Sequence, residues 1–513
     1  MTTQIFSTAC AGNVMTTIPM PVTEDAASQD SEGIAPATRA AFALLETLVA
    51  RGLEWVVVCP GARSQALALA AATLEREGAL RVVVAIDERS GAFTALGLGI
   101  ETGRPTAIIT TSGTAVANLH PAILESHHAG VPLIVLTADR PEELRGIASN
   151  QTTAQSGIFG ASVRWHSDVP APIEGAEAAA EAIAHGNHAW SAAMGGAPAV
   201  PVRRGPVHLN LAYREPLSSS HRPTPVVPAG HASSSEPKAD MLPVSTELSR
   251  GPRTLVIAGA DAGAAAEQLA HEGGWPLVAE VSSGSRFGRN LVPHYRAALA
   301  DEELVAGIER IVVFGHPTLG RQIPALIAQS HDVHTIVVRS GGEDFNPGKR
   351  VSQFVDQLVV GDGDLDPEWL SSWLRVGNEA LQHYEAELSA TTPAARAPRL
   401  AEGRSQNTED RRDFANAELA AVRTPLTREL LVDGVWRATW PHDRLVWGAS
   451  RLIRVADRVV SGKKISVVAN RGLAGIDGTI STATGIALAS GALTRVVVGD
   501  LTFLHDVGGL WHE

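Results

Sequence analysis

Trp55-Val56-Val57-Val58-Cys59-Pro60-Gly61-Ala62-Arg63-Ser64 is an apolar run stopped by a Pro-Gly turn and followed by polar residues that enter a helical pattern. The run does not alternate, so it predicts a short strand buried on both faces. Helical spacing over Thr38–Arg51 precedes it, and a second helical stretch over Ser64–Glu75 follows. The rhythm then repeats. Arg81–Ala85 predicts a strand, Glu88–Glu101 a helix, Thr106–Thr110 a strand, Ala115–Glu125 a helix and Pro132–Thr137 a strand, with Val207–Leu211 closing the unit near residue 215. Continuous apolar strands alternating with helices indicate a parallel sheet covered on both faces. The expected fold class is α/β and doubly wound.

Working outward, residues 216–252 carry Ser218–Ser220, Pro223, Pro225, Pro228 and Ser233–Ser235, which reads as a linker. A second α/β unit spans 253–365, with strands expected at Thr254–Ala258, Ile311–Phe314 and Thr335–Val338. Residues 366–423 read as a helical connection with a polar stretch at Ala394–Glu409. A third unit, 424–513, has strands expected at Leu445–Trp447, Ile465–Val468 and Arg495–Val498. That unit reads as incomplete, because Gly499-Asp500 ends a strand and little follows the next helical stretch, Leu501–Leu510. Residues 1–33 read as a disordered N-terminal extension rich in Ser, Thr, Gly and Pro.

Bulk properties limit the function classes. The 513 residues correspond to about three domains at roughly 150 residues each. With 42 basic and 55 acidic residues the net charge is −13, which argues against a nucleic-acid partner. No apolar stretch is long enough to insert in a membrane as a helix. The two cysteines, Cys10 and Cys59, form no disulfide framework and suit a reducing cytoplasm.

The sequence has no CxxC pair, no HExxH and no GxxxxGK[ST] loop. Gly259–Gly263 follows a strand but lacks dinucleotide-binding spacing, and reads as a turn. His127-His128 sits at a helix end, and adjacent helical side chains point about 100° apart, so the two rings are not expected to converge. The stronger signals lie after strands, where open α/β sheets hold ligands. Arg63 follows a Gly turn into a helix, a place for an anion or simply a surface arginine. Glu88 opens a helix directly after an apolar strand, as a working acid or as a residue favouring the helix N-terminus. Ser112-Gly113-Thr114 is a small-residue turn that lets backbone approach a ligand. Arg140 and Gln151 offer a cation and an amide to a carboxylate, or form a polar loop. Gly499-Asp500 suits a hard cation that bridges phosphates.

In this order the motifs resemble one family. The segments are Val58–Gly61, Asp87-Glu88-Arg89, Thr111–Leu119, Leu136–Pro141, Gly205–Leu211 with Arg214-Glu215-Pro216, Asn470-Arg471-Gly472 with Gly475–Gly478, and Gly499–Thr502. Together they are similar to the 2-succinyl-5-enolpyruvyl-6-hydroxy-3-cyclohexene-1-carboxylate synthases, thiamine-diphosphate enzymes of menaquinone biosynthesis. The resemblance covers about residues 36–510. It implies a pyrimidine-binding domain over 34–215, a central domain over 253–365 and a pyrophosphate-binding domain from 424, with the cofactor between subunits of a homodimer or homotetramer. It further implies decarboxylative 1,4-addition of 2-oxoglutarate to isochorismate.

The resemblance also carries residue roles. Glu88 matches the acid that hydrogen-bonds the aminopyrimidine ring and shuttles its proton. Arg63, Arg140, Gln151, Ser450, Arg454 and Arg471 match substrate positions, and Arg286 and Arg321 match central-domain basic residues. Gly113, Ile476, Gly499 and Asp500 match cofactor positions, with Asp500 as a ligand to Mg²⁺ or Mn²⁺. Several arginines suit two dianionic substrates. Two departures stand out. Ala62 replaces the family's usual Ser, and Ser450-Arg451-Leu452-Ile453-Arg454 replaces the commoner Ser-Asn-Pro-Val-Arg. The Asn that completes the family's metal motif would lie past residue 513, so a catalytically incomplete fragment remains an alternative. Another is an acetolactate-synthase-like decarboxylase.

Overall fold

Runs of β-branched residues set the strands, and Pro-Gly or Gly turns set where they stop. The computed structural model describes residues 33–174, 177–196, 203–221, 245–391 and 408–511. The tail read over 1–33 lies outside the described residues except for Gly33. From Ala35 onward the chain forms one contact unit.

The first sheet comprises β1 (Trp55–Val58), β2 (Arg81–Val84), β3 (Thr106–Thr110), β4 (Leu133–Asp139), β5 (Trp165–Val169) and β6 (Pro206–Ala212). Its helices are α1 (Pro36–Arg51), α2 (Gln65–Arg76), α3 (Glu88–Thr102), α4 (Thr114–Asn118), α5 (His120–Ala129) and α6 (Glu177–Ala193). The strand order is β2-β1-β3-β4-β6-β5, all parallel. Val56 and Val58 bury among Leu45, Leu48 and Trp190, while Val57 buries on the opposite face among Phe93, Leu96 and Ile123. The strand is therefore apolar throughout because both its faces are core. The order reverses between β1 and β3, which opens a crevice at the strands' carboxyl ends.

The second part contains β7 (Ser245–Leu248), β8 (Thr254–Ala258), α7 (Ala265–Gly273), β9 (Leu277–Ala279), α8 (Tyr295–Ala298), α9 (Glu302–Ala306) and β10 (Arg310–Phe314). It continues with α10 (Gln322–Gln329), β11 (His334–Val338), β12 (Gln353–Val355), β13 (Gln357–Val360) and α11 (Pro367–Thr391). A parallel sheet of order β12-β11-β10-β8-β9 forms, and β13 pairs with β7 beside it. The third part has α12 (Thr408–Arg423), α13 (Arg428–Ala438), β14 (Arg444–Trp447), α14 (Arg451–Val459), β15 (Ser466–Val468), α15 (Thr479–Ser490), β16 (Thr494–Val497) and α16 (Asp500–His505). Its sheet is parallel in the order β15-β14-β16.

Several expectations change. One helix over Ala115–Glu125 is instead α4 and α5, because Pro121 has no N–H to continue the ladder and restarts it as an early residue of α5. The segment read as a linker supplies β7 at its end, while 222–244 lies outside the described residues. The stretch read as a helical connection begins with α11, whose Trp369 and Trp373 are buried in the second core rather than free of it. β5 and α6 had no counterpart in the strand–helix reading. In β5 half-buried and exposed residues alternate, so the strand carries no apolar run.

The first and third parts meet through α3 and α15. A Cβ at Gly97 would lie 2.0 Å from the Thr482 carbonyl oxygen, and one at Gly485 would lie 2.1 Å from the Thr94 oxygen. Glycine is required on both helices for this backbone approach. At the far end of α3, Arg444 forks onto Glu101, with Nη2 to Oε1 at 2.6 Å and Nε to Oε2 at 2.9 Å.

Candidate functional site

The crevice of the first sheet gathers residues from four loops. Asp87 caps α3, accepting from the Arg89 N–H at 2.9 Å, so Glu88 becomes the first helical residue at the strand ends. Glu88 is half-buried and has no hydrogen bond or ion pair to another described residue. It lies close to Cys59 at the end of β1. Burial first, then the Glu88 and Asp87 carboxylates, push the Cys59 thiol up.

Arg140 follows β4 and is only 9% exposed. Its Nη1 donates to Ser112 Oγ at 2.7 Å, and Ser112 Oγ in turn donates to the Gln151 carbonyl at 2.8 Å. Gln151 Nε2 donates back to the Ser112 carbonyl at 3.0 Å. Ser112 is therefore the joint between Arg140 and Gln151. Beside it, the Gly113 N–H donates to Gln155 Oε1 at 3.0 Å. Arg63 enters from the β1 loop and donates to the Tyr213 carbonyl at 3.1 Å. Burial first, and Arg140 second, lower the Arg63 guanidinium. Glu215, 3.9 Å from Arg63, and Asp139 oppose that lowering.

Beneath these groups lies a polar floor built on the buried Asp139, Gln155 and Asn210. Gln155 Nε2 donates to Asn210 Oδ1 at 2.7 Å, and Asn210 Nδ2 donates to Asp139 at 2.9 Å and Asp168 at 2.8 Å. Arg145 pairs with Asp139 at 3.0 Å and with Asp168 at 2.8 Å.

A second group forms in the third part. Ser450 caps α14, its Oγ accepting from the Leu452 N–H at 3.1 Å. A Cβ at Gly499 would lie 3.7 Å from Ser450 Cβ, so the loops after β14 and β16 converge. Asp500 is exposed and commits Oδ1 to the Leu501 N–H at 2.9 Å. Arg454 is exposed, and Ile476 is half-buried. Arg471 is 6% exposed and donates from Nε and Nη2 to Thr318 Oγ1 at 2.9 and 2.7 Å. Burial lowers its guanidinium, Glu280 opposes that, and Arg454 adds to it. Arg454 and Arg471 are thus electrostatic neighbours.

The structure brings Arg63, Gly113, Arg140 and Gln151 together with Glu88 on one sheet edge. It brings Ser450, Gly499 and Asp500 together, and Arg454 with Arg471. Among the described residues no hydrogen bond or ion pair joins the first-sheet set to the third-sheet set directly. Arg321 is exposed at the start of α10, on the loop that carries Thr318. Arg286, matched to a central-domain basic position, is committed to protein carbonyls. It is 4% exposed, and its donors go to the carbonyls of Ala279, Asp457 and Val460, so it braces the second part against the third. The His127 and His128 rings, expected to diverge, meet edge to face at 5.1 Å because His127 is turned to accept Arg164. Glu125, Thr318 and Glu280 were missed. Glu125 was read only as the end of a helix, and Glu280 follows β9, a strand too short to register as a run.

Residues 38–160 match the family model described as thiamine pyrophosphate enzyme, N-terminal TPP binding domain. Similar curated proteins carry the name 2-succinyl-5-enolpyruvyl-6-hydroxy-3-cyclohexene-1-carboxylate synthase. The one from Leifsonia xyli subsp. xyli is 52% identical over 93% of this chain and 82% of its own length. The one from Clavibacter michiganensis subsp. michiganensis is 51% identical over 93% of this chain and 81% of its own. The one from Kineococcus radiotolerans is 42% identical over 93% and 80%. With identity at this level along nearly all its residues, the chain belongs to the 2-succinyl-5-enolpyruvyl-6-hydroxy-3-cyclohexene-1-carboxylate synthase family.

Proposed function

We propose that this chain is a thiamine-diphosphate-dependent synthase that adds 2-oxoglutarate, with loss of CO₂, to isochorismate in menaquinone biosynthesis. The observation that carries the substrate reading is the two pairs of neighbouring arginines, Arg63 with Arg140 and Arg454 with Arg471. Each substrate is a dianion, and paired guanidiniums in partly buried sites select carboxylates. Gln151, held against Ser112, keeps an amide oxygen without a partner among the described residues for a substrate hydroxyl. Arg321 is a further cation at the edge of the second part.

The cofactor supplies the nucleophilic carbon for the addition. The Glu88 carboxyl would hold and return a proton at the aminopyrimidine ring; its lack of a competing partner among the described residues supports this. Gly113 would bring backbone to that ring, and Ile476 would support it from the third part. Gly499 and Asp500 would receive the diphosphate end. Asp500 keeps Oδ2 free beside Oδ1, which fits a Mg²⁺ or Mn²⁺ shared with phosphate oxygens. Among the described residues no three His, Cys, Asp or Glu side chains gather as a protein-only metal cage. A phosphate-bridging cation needs only one or two protein oxygens.

We further propose a homodimer or higher homo-oligomer in the cytoplasm. No described helix is long and apolar enough to cross a membrane. The proposed activity is tested by incubating the chain with 2-oxoglutarate, isochorismate, thiamine diphosphate and Mg²⁺, and identifying products by mass spectrometry. The succinyl-cyclohexene adduct is expected. Acetolactate formed from pyruvate alone would move the chain to the acetolactate-synthase-like alternative. Absence of both products would overturn the proposed activity.

A further inference from the structure

We infer that Glu125 is a positioning residue that sets the direction of Arg471. The inference rests on the reading of Arg471 as a substrate-binding residue. Glu125 belongs to α5 of the first part and is 4% exposed. Its Oε1 accepts from the Gly472 N–H at 2.7 Å, and its Oε2 accepts from the Leu473 N–H at 2.8 Å. One carboxylate thus grips two consecutive amides immediately after Arg471. A Cβ at Gly472 would lie 2.9 Å from His128 Cβ and 3.0 Å from the Glu125 carbonyl oxygen, so only glycine lets the loop seat on α5.

The other end of Arg471 is fixed from the second part. Thr318 receives Nε and Nη2, and Thr318 is itself held by Glu280, which is fully buried. Glu280 accepts from the Thr318 N–H at 3.1 Å and from the Leu319 N–H at 2.8 Å. Arg471 Nη1 is left without a partner among the described residues. Two carboxylates, one from α5 of the first part and one after β9 of the second, therefore fix backbone and side chain of one arginine in the third part and leave one N–H edge for a ligand carboxylate.

A buried carboxylate is a costly way to pack a helix against a loop. Burial raises the Glu125 carboxyl, while the two amides and Arg471 pull it back. The bidentate grip is what a neutral side chain would not supply. In Glu125→Gln one oxygen remains, and the amide group faces an N–H that it cannot accept.

The test combines steady-state kinetics with hydrogen exchange on Glu125→Gln, Arg471→Lys and the double variant, in the full chain. Arg471→Lys is expected to raise KM for one substrate. Glu125→Gln is expected to raise KM for that same substrate roughly 10-fold, with kcat within about 2-fold, as the loss of a charge-assisted hydrogen bond would give. Exchange at Gly472 and Leu473 is expected to rise by a similar factor while α3 stays protected. The double variant is expected to be no worse than Arg471→Lys, because both changes act on one contact. If Glu125→Gln does not fold, Glu125→Asp, one methylene too short to reach both amides, is expected to show the same KM split. A fall in thermal stability with both KM values unchanged overturns the inference, as does an equal rise in both. If Arg471→Lys itself leaves both KM values unchanged, the reading of Arg471 fails first and the inference falls with it.

Discussion

Glu88 and Arg140 show how much one residue's surroundings decide. Glu88 stands at a helix start, where any acid is favoured by the dipole. Its lack of a hydrogen-bond or ion-pair partner among the described residues, and its position beside Cys59, separate it from Asp87, which is occupied as a cap. Glu88→Gln is expected to cut turnover by about 100-fold or more, in the range of a lost proton-transfer group. Thiamine-diphosphate affinity, measured by titration, should change little; turnover within a few-fold of the parent would remove Glu88 from proton transfer. Arg140 is a different case, since its fork is already half engaged with Ser112. An ammonium cannot hold Ser112 and a carboxylate in the same plane. Arg140→Lys is therefore expected to raise KM by roughly 10-fold. An unchanged KM for both substrates would place Arg140 outside the site.

At the scale of elements, the pairing of β4 with β6 carries a pH dependence. His208 on β6 is fully buried, and its Nε2 lies 2.8 Å from Thr137 Oγ1 on β4. Burial first, and the neighbouring His166 second, hold its imidazole down to about 4. The unfolded chain, with an imidazole near about 6.5, takes up a proton that the folded chain refuses. Stability is then full above about pH 6.5 and is lost as pH falls towards about 4, by up to ~3 kcal/mol. Urea unfolding from pH 7 to 4 should show this loss, and His208→Gln should remove most of it; parallel curves for the two proteins would exclude His208 as the source. Element boundaries were readable in some strands of four or more residues with core on both sides. Thr106–Thr110 and Thr254–Ala258 coincide with β3 and β8 because every residue in them is buried. β5 was not readable, since as an edge strand it needs apolar residues on one face only.

For the whole molecule, the parts are joined by charged groups as well as by apolar surface. Asp457 of α14 accepts from the Val281 N–H at 2.9 Å and from the Tyr295 hydroxyl at 2.6 Å, and pairs with Arg296 at 2.6 Å. Removing its charge leaves Arg286 and Arg296 facing a neutral group in a buried interface. Asp457→Asn is expected to cost ~3–5 kcal/mol in denaturant unfolding. A loss below about 1 kcal/mol would mean that water replaces the pair.

The sequence by itself determined the parallel α/β architecture, through strands such as Val56–Val58 that are apolar on both faces, and the family, through motifs whose residues are contiguous. It also placed Arg63, Gly113 and Arg140 on one sheet edge, because loops at the carboxyl ends of parallel strands fall there whatever the details of packing. Tertiary structure alone decided which charges remain available. Arg286 and Arg471 look alike in the chain, yet three carbonyls and Asp457 absorb the first, while Thr318 leaves an edge of the second free. Nor does local sequence reveal Glu125 and Glu280 as clamps, because their partners are backbone amides 347 and 39 residues away. A backbone N–H carries no residue-type signature, so such contacts become visible only when the sheets are packed together.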